Sequence, residues 1–389
     1  MCYRSPLMCI VPPHMLEAIA ERGSPQQQEI ARACMRSSDQ LRERRGEAAQ
    51  RVFGAAAAAG KERVVYSANN GTGLPGQRVR SEGSSPTGDA AADEAYDGSG
   101  DTYDLFQDEY GRNSINGSGL RLDSTVHYSR GFDNAFWDGR QMVYGDGDED
   151  LSPDQRLFNR FTASLDVIGH ELTHGVTQYT ANLVYQGPSG ALNEHFSDVF
   201  GSLVKQRRSG QSAPDADWLV GAELLTSNVN GSAIRSMKAP GTAYNDPVLG
   251  RDPQPGHMDD YVNTSQDNGG VHINSGIPNH AFYQVATTLG GNAWERAGTI
   301  WYRALTDSRL RSNATFQAAA ELTATIAADL FGSGGNEHRA VIHGWDTVGI
   351  RAGELTDPGE PDEPDEPGEP TPPPPSGGGC SPFRAFFSS

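Results

Sequence analysis

Two short blocks decide the fold: DVIGHELTH at residues 166–174 and NEHFSD at residues 193–198. His170 and His174 are four residues apart, so on a helix their imidazoles project from one face, about a turn apart, and can share a metal ion. Glu171 lies on the same turn, where its carboxylate can reach a water beside the metal without being a ligand. The spacing predicts a zinc-binding helix with Glu171 as the general base.

A catalytic zinc needs a third protein ligand and one open position. Glu194, on a second predicted helix, is the candidate third ligand. Asp198 follows one turn later and can accept the remaining ring N–H of a ligating histidine, which fixes the orientation of that ring. The alternative is a buried helix whose two histidines are merely hydrogen-bonded, and the second block at a workable distance argues against it.

The segment from Asp166 to Asp198 resembles the active-site helices of the thermolysin family of zinc endopeptidases. Nineteen residues separate His174 from Glu194, as in that family, whereas related zinc aminopeptidases use a shorter spacing and a Gly-Ala-Met-Glu-Asn motif that is absent here. The resemblance implies an α+β fold of two lobes with the zinc site between them. We expect a β-rich N-terminal lobe at residues 59–165 and a largely helical C-terminal lobe at residues 166–352.

The resemblance extends to the residues that hold a substrate. Asn134 and Ala135 match the edge strand that pairs with the bound peptide through main-chain hydrogen bonds. Arg235 matches the arginine that contacts the substrate carbonyl next to the cleaved bond. Val167 and Ile234 match walls of the apolar pocket for the residue after that bond, which implies a preference for a large apolar side chain there.

The resemblance also implies two donors to the developing oxyanion, Tyr185 and His272. Asp267 precedes a pair of glycines and can accept from one ring nitrogen of His272, which leaves the other nitrogen as a donor. The implied activity is that of a neutral endopeptidase acting on proteins and peptides. Zinc lowers the pKa of a water, and Glu171 moves its proton to the leaving amine.

The N-terminal region carries a second resemblance. Cys9-Ile10-Val11 and the pair Pro12 and Pro13 resemble the short propeptides of protealysin-like members of the family, which lie over the cleft. A proline-stiffened segment suits a peptide groove, because it has little backbone entropy left to lose. We predict that residues 1–58 are an inhibitory propeptide and linker, cleaved between about residues 50 and 62. The alternative is a plain helical arm.

The cysteines lie outside the central part of the chain, so no disulfide is expected in the catalytic core. They are Cys2, Cys9, Cys34 and Cys380. Two interpretations of Cys9 remain open. Its thiolate could fill the open zinc position of the precursor, or its side chain could pack as a small hydrophobe.

The sequence departs from the family at its paired calcium site. Asp166 and Asp217 occupy two of the family's positions, but Lys205, Leu219 and Ala222 occupy three others. So few carboxylates, with a cation among them, cannot hold two calcium ions. We therefore predict one catalytic zinc, no paired calcium site, and an ammonium group of Lys205 that bridges the two aspartates.

The net charge of −19 argues against nucleic acid and anionic membranes as partners, because both require basic patches. No stretch is long and apolar enough to span a membrane, and the apolar run near residue 10 is too short and proline-broken for a signal peptide. Family members commonly work outside the cell, so we predict a secreted monomer, with a latent cytoplasmic regulator as the alternative. Residues 353–389 are acidic and proline-rich, which is typical of a disordered spacer.

Periodicity predicts further elements. Aromatic residues at helical spacing predict a helix within residues 89–119, and alternation predicts strands at residues 124–129 and 141–144. Apolar periodicity predicts helices at residues 280–289, 293–308 and 315–330. A helical pattern also runs from His14 to about Arg45. A catalytically silent zinc-binding module is the remaining rival, but it would lack the base or an oxyanion donor, and neither is missing.

Overall fold

A six-stranded sheet forms the N-terminal lobe. Its strands are β1 (Met8–Cys9), β2 (Arg63–Ser67), β3 (Gln77–Ser81), β4 (Leu122–Val126), β5 (Ala135–Trp137) and β6 (Met142–Tyr144). Their order across the sheet is β1-β5-β6-β4-β2-β3. The computed structural model describes residues 8–48 and 60–353. Residues 49–59, at the end of the predicted propeptide and linker, and the tail from residue 354 onward lie outside the described residues, as do Cys2 and Cys380.

The sheet is mixed. β4 pairs in parallel with β2 and β6, whereas β5 pairs antiparallel with β6. The strand predicted at residues 141–144 is confirmed by β6, but β4 ends at Val126 rather than at residue 129. His127 has a φ of 54°, a left-handed conformation that a strand cannot continue through.

The N-terminal segment before residue 49, predicted above to be a propeptide and called the prosegment below, forms two helices, α1 (Pro13–Arg22) and α2 (Pro25–Ala48). The helical pattern predicted from His14 to about Arg45 is confirmed, and the structure divides it at Gly23 and Ser24. The Gly23 N–H closes α1, and Ser24 begins α2 through a capping box, since its N–H donates to Gln27 Oε1 at 2.7 Å and its Oγ accepts from the Gln27 N–H. Pro25 then takes the first helical position, where its missing N–H costs nothing.

Helix α3 (Ala90–Asp104) lies against the sheet and continues into a π-helical turn at residues 105–109. Its first turn is capped by Asp89, whose side chain accepts from the N–H groups of Ala91 and Ala92. The aromatic anchors predicted for this helix are confirmed. Tyr96, Tyr103 and Phe106 are buried, and the Tyr110 ring stacks on Tyr302 of the C-terminal lobe with centroids 4.6 Å apart.

The C-terminal lobe is largely helical, so the predicted two-lobed α+β fold is confirmed. Its helices are α4 (Leu165–Gln178), α5 (Gly187–Ser209), α6 (Asp267–Asn274), α7 (Gly276–Leu289), α8 (Arg296–Thr306), α9 (Phe316–Phe331) and α10 (Asn336–Thr347). Short antiparallel pairs interrupt them: β7 (Leu219–Val220) with β8 (Arg235–Ser236), and β9 (Asn245–Asp246) with β10 (Gly250–Arg251). Across residues 8–48 and 60–353, none of the helices has the length and apolar character needed to cross a bilayer.

Helices α4 and α5 meet closely at two glycines. A Cβ added to Gly201 would lie 2.3 Å from the Asp166 carbonyl oxygen, and one added to Gly169 would lie 3.0 Å from the Gly201 Cα. Only glycine allows backbones to approach this closely. The approach sets the two predicted ligand-bearing helices side by side, and α4 also packs against α3 and β5 of the other lobe.

The loop after β4 is tied to α3 by His127. Its Nδ1 lies 2.8 Å from Asp146 Oδ2, and its Nε2 lies 2.8 Å from Asp89 Oδ2. The Asp146 hydrogen bond is the main factor that raises the pKa of His127 to about 9; burial opposes it, and Asp89 adds to it. His127 is therefore protonated at neutral pH and stabilises the fold.

We expect the stability gained from His127 to depend on pH. A raised pKa means that the contribution is complete below the ordinary value of 6.5 and is lost as the pH rises through about 9. His127→Asn, which tolerates the left-handed backbone, should lower the unfolding temperature at pH 6 and much less at pH 10. Thermal unfolding across this range, with exposed His343→Asn as the control, measures the effect; a constant difference would contradict it.

Candidate active site

The structure brings the three predicted ligands together. His170 and His174 project from α4, Glu194 projects from α5, and all three are fully buried. One ligand atom from each lies within 4.8 Å of the others. The two Nε2 atoms are 3.1 Å apart, and the Glu194 carboxylate oxygens lie 3.5 Å from His170 Nε2 and 3.4 Å from His174 Nε2.

The donor set fits zinc. His170 Nδ1 is 2.8 Å from Asp198 Oδ1, and His174 Nδ1 is 2.8 Å from Asn193 Oδ1. Because both oxygens are acceptors, each ring carries its proton on Nδ1, and both Nε2 atoms present lone pairs to the same space. Glu194 Oε2 has no hydrogen-bond donor among the described residues. Two ring nitrogens and the Oε2 atom of Glu194 therefore converge with no donor between them among the described residues. Such a group needs a cation, and this is the ligand set of a catalytic zinc.

Asp198 accepts hydrogen bonds from two residues besides His170, the ligating histidine with which it lies in contact. It accepts from Arg235 through Nε at 2.9 Å and Nη2 at 2.7 Å, and from Asn279 Nδ2 at 2.8 Å. Burial alone would raise the pKa of Asp198, but the Arg235 charge and the His170 hydrogen bond hold it well below its usual range. Sequence reasoning missed Asn279, which also accepts from His195, since no motif marks it.

The predicted base is held against the edge strand. Glu171 is fully buried beside the ligands, and its Oε2 accepts from the Trp137 main-chain N–H at 3.1 Å. Val167 lies one turn earlier on α4, and Ile234 directly precedes β8; both are buried. The carboxylate and these apolar side chains therefore come from the elements that border the ligand cluster.

The two predicted oxyanion donors lie side by side. The Tyr185 hydroxyl is 3.1 Å from His272 Nε2 and also donates to Glu194 Oε1. Asp267 accepts from His272 Nδ1 at 2.6 Å, as predicted, and from the His272 main-chain N–H at 2.8 Å. Burial lowers the pKa of His272, but the charges of Asp267 and Glu194 outweigh burial and raise it to about 9.

Comparison with known proteins agrees with this geometry. Residues 54–178 match "Thermolysin metallopeptidase, catalytic domain", and residues 181–350 match "Thermolysin metallopeptidase, alpha-helical domain". An "Extracellular metalloprotease" of Pectobacterium carotovorum subsp. carotovorum is 47% identical over 348 residues, which are 89% of this chain and 97% of that protein. The chain belongs to the thermolysin family. The resemblance inferred from the sequence is confirmed, and the protein is a metalloendopeptidase.

Two further similarities place the protein within the thermolysin family. "Protease PrtS" of Photorhabdus sp. (strain Az29) is 51% identical over 294 residues, 75% of this chain and 77% of that protein. The solved structure titled "Precursor of Protealysin, Metalloproteinase from Serratia proteamaculans" matches with a TM-score of 0.79 and 46% identity, covering 88% of this chain and 99% of that one. The match to a precursor supports the predicted latent form.

In this thermolysin-family protein the prosegment contacts three of the predicted substrate-binding residues. The Asn134 Oδ1 accepts from the Val11 N–H at 3.0 Å, the Ala135 carbonyl accepts from the Ile10 N–H at 3.3 Å, and Arg235 Nη1 donates to the Ile10 carbonyl at 3.1 Å. Each contact is made to the prosegment main chain, as a bound peptide would make it.

The three remaining predicted prosegment residues differ in what they contact. Pro12 caps α1 and Pro13 is its first residue. Cys9 contributes its carbonyl oxygen, which lies 2.9 Å from His272 Nε2. Within the described residues the ligand cluster consists of His170, His174 and Glu194, and the Cys9 thiol is not part of it. Zinc ligation by that thiol in the precursor stays a hypothesis.

Proposed function

We propose that the protein is a zinc-dependent neutral endopeptidase, made as a latent precursor whose own prosegment blocks the cleft. The observation that carries the proposal is the convergence of two ring-nitrogen lone pairs and one carboxylate beside a buried Glu171. Such a site suits metal-assisted hydrolysis of a peptide bond. The match to a protealysin precursor and the prosegment contacts support the latent form.

His170, His174 and Glu194 would hold the zinc. When bound, zinc supplies a Lewis acid that polarises the scissile carbonyl and makes a nearby water more acidic. Glu171 removes the proton of the attacking water and delivers it to the leaving amine.

The oxyanion of the tetrahedral intermediate receives hydrogen bonds from Tyr185 and His272. Asp267 orients the His272 ring through its two hydrogen bonds, so that Nε2 faces the cleft. Removing one such donor typically costs about 10²–10³-fold in turnover.

The proposed preference is a large apolar residue just after the cleaved bond. Val167 and Ile234 are buried apolar side chains on elements that border the base, and Arg235, next in sequence, presents Nη1 to a peptide carbonyl. The main-chain carbonyl of Ala135 would accept from the N–H of the residue just after the cleaved bond, as it does from Ile10. The side-chain oxygen of Asn134 would accept from the N–H of the following residue, as it does from Val11. These contacts recognise the backbone, so side-chain selectivity is left to the pocket.

Removal of the metal tests the proposal directly. The processed protein should degrade casein, lose this activity on dialysis against a zinc chelator, and recover it when one equivalent of zinc is returned. The physical reason is that, within residues 8–48 and 60–353, His170, His174 and Glu194 form the group found to be able to hold a metal, and a metal held there would activate water beside Glu171. Casein degradation that persists in the metal-free protein, checked by elemental analysis, would sink the proposal.

We propose that the Lys205 ammonium takes the place of the paired calcium ions that the family resemblance implies, and that calcium is not required here. Its Nζ lies 2.8 Å from Asp166 Oδ2 and 3.2 Å from Asp217 Oδ1, as predicted, and donates to the Leu219 carbonyl at 2.7 Å. Burial lowers the pKa of Lys205. The charge and hydrogen bond of Asp166, with the charges of Asp217 and Glu223, together outweigh burial, raise the pKa and keep the ammonium charged.

Lys205→Ala should destabilise the protein by roughly 3 kcal/mol, because it leaves the buried Asp166 carboxylate without its cation. Exposed Lys238→Ala should have little effect, and added calcium should not raise the unfolding temperature of the wild type. Thermal unfolding of the two variants with and without calcium measures this. Elemental analysis that finds two calcium ions per chain would contradict the proposal.

The remaining proposals concern processing and location. We retain the boundaries 1–58 for the propeptide, 59–165 and 166–352 for the two lobes and 353–389 for the tail. Relatives named extracellular metalloproteases support secretion, and we propose a secreted monomer. Mass spectrometry of the mature N-terminus from culture supernatant tests the cleavage site and the location together; mature enzyme found only inside cells would favour the cytoplasmic alternative.

A further inference from the structure

We infer that the prosegment is bound as a substrate, with the Cys9–Ile10 peptide bond at the point of cleavage, and that the protein hydrolyses this bond in its own precursor. The inference rests on the proposed function. It adds a processing site upstream of the cut predicted between about residues 50 and 62. It also explains how a segment that the enzyme can cut is able to block the cleft.

The direction of the chain is that of an added strand. β1 runs antiparallel to β5, with Met8 opposite Trp137 and Cys9 opposite Phe136. This pairing extends the sheet by one strand, as peptides do when they bind an exposed edge. The segment is therefore aligned along the cleft rather than across it. In this alignment, successive peptide bonds of the segment lie at successive positions along the edge of β5.

The hydrogen bonds fix which peptide bond lies at the centre. Of the prosegment carbonyls, that of Cys9 is the one at the oxyanion donors, with its oxygen 2.9 Å from His272 Nε2. The next carbonyl, that of Ile10, is held by Arg235 Nη1 at 3.1 Å. The Ile10 N–H, which would become the leaving amine, donates to the Ala135 carbonyl at 3.3 Å.

The side chains agree with this register. Ile10 is fully buried and is the large apolar residue that the proposed pocket prefers after the cleaved bond. Val11 follows it, and its N–H is held by Asn134 Oδ1. A shift of the segment by one residue would turn each side chain to the opposite face and break all of these bonds at once.

The chemistry needs only water. A water oxygen adds to the Cys9 carbonyl carbon, the carbon–nitrogen bond to Ile10 breaks, and the proton taken up by Glu171 is transferred to the Ile10 nitrogen. The products are a carboxylate on Cys9 and an ammonium group on Ile10, whose nitrogen carries both protons of the water. No atom changes its oxidation state, and no reactant other than water is required.

Cleavage here would not end latency. The chain from Ile10 onward stays attached through the linker and is anchored by buried apolar side chains of α1, including Met15 and Ile19. Further anchors are the Gln27 amide, which donates to the Gln155 carbonyl at 2.7 Å, and the Cys34 thiol, which accepts from the Asp133 N–H. The new amino end is held in the cleft, so full activation needs the second cut in the linker.

The full-length precursor tests the inference. Wild type and Glu171→Gln are purified, incubated with zinc, and followed by intact-mass spectrometry. We expect wild type to lose residues 1–9 and expose Ile10, at a first-order rate that is unchanged by tenfold dilution, while Glu171→Gln keeps the bond. Ile10→Leu should be cut like wild type, and Ile10→Asp at least about tenfold more slowly, because a charge enters an apolar pocket.

A second readout does not depend on activity. In the Glu171→Gln precursor, hydrogen exchange should show protected amides at Ile10 and Val11, and Asn134→Ala should remove the protection of Val11 alone. Unprotected amides at both positions would overturn the inference. So would an intact Cys9–Ile10 bond in wild type whose processed form degrades casein, an outcome that leaves the proposed function standing. Cleavage of Glu171→Gln at the wild-type rate would assign the cut to another protease.

Discussion

Glu171→Gln is expected to lower the turnover of a peptide substrate by at least about 10²–10⁴-fold, the range typical for loss of a positioned proton-transfer group. Glutamine has nearly the same shape and keeps an oxygen that can accept from the Trp137 N–H. It cannot take a proton from water at neutral pH. The structure and the zinc site should therefore survive, and only the chemistry should be lost.

The comparison requires three measurements on the same preparation. Turnover is measured on an internally quenched peptide after processing in trans, zinc content by elemental analysis, and folding by thermal unfolding. Exposed Glu321→Gln, on α9, changes the same functional group away from the site and should match the wild type. If Glu171→Gln retained more than about a tenth of the turnover with full zinc occupancy, another group would have to be the base.

The ligand cluster could be predicted from the sequence because most of its geometry is local. His170 and His174 share a helical face by their spacing alone, and Asp198 follows Glu194 by one turn in the same way. On a helix, the spacing of two residues in sequence determines whether their side chains project from the same face, with little dependence on the rest of the fold. Only the distance between the two helices needed tertiary information, and the resemblance to the family supplied it.

Contacts that join distant segments could not be predicted in the same way. Arg235 lies on β8, a strand of two residues that is too short to produce a periodic signal. Its resemblance to the family suggested a substrate contact, which Nη1 makes with the prosegment. Its second contact, the paired hydrogen bonds to Asp198, depends on how β8 packs against α5 and has no local signature.

The prosegment shows a different limit. Residue types left open whether the Cys9 thiol fills the zinc position or packs as a small hydrophobe, and neither interpretation concerned the main chain. The Cys9 atom that contacts His272 is the carbonyl oxygen. A strand that pairs with a sheet edge presents its main chain, and the main chain is the same for every residue. The helical pattern from His14 to about Arg45 did not locate the break between α1 and α2, because the capping box at Ser24 lies between two stretches with the same helical periodicity.

Asp198→Ala is expected to destabilise the protein by about 3–5 kcal/mol, the usual cost of removing one partner of a buried ion pair. Arg235 is 1% exposed, so its charge would be left without a counterion or water. The His170 ring would also lose its acceptor, and loss of such a support typically lowers metal affinity by about 10–100-fold. Urea unfolding and zinc titration measure the two effects, with exposed Asp154→Ala as the control.

A double variant separates the loss of stability caused by the unpaired Arg235 charge from the loss of zinc affinity caused by the missing His170 acceptor. Adding Arg235→Met to Asp198→Ala removes the guanidinium while keeping an unbranched apolar side chain in its place, so part of the lost stability should return. The weak zinc affinity should not recover, since the His170 acceptor is still missing. Equal recovery of both quantities would mean that Asp198 acts on the metal site only through the fold. No recovery of either would mean that the Arg235 charge is neutralised by a group other than Asp198.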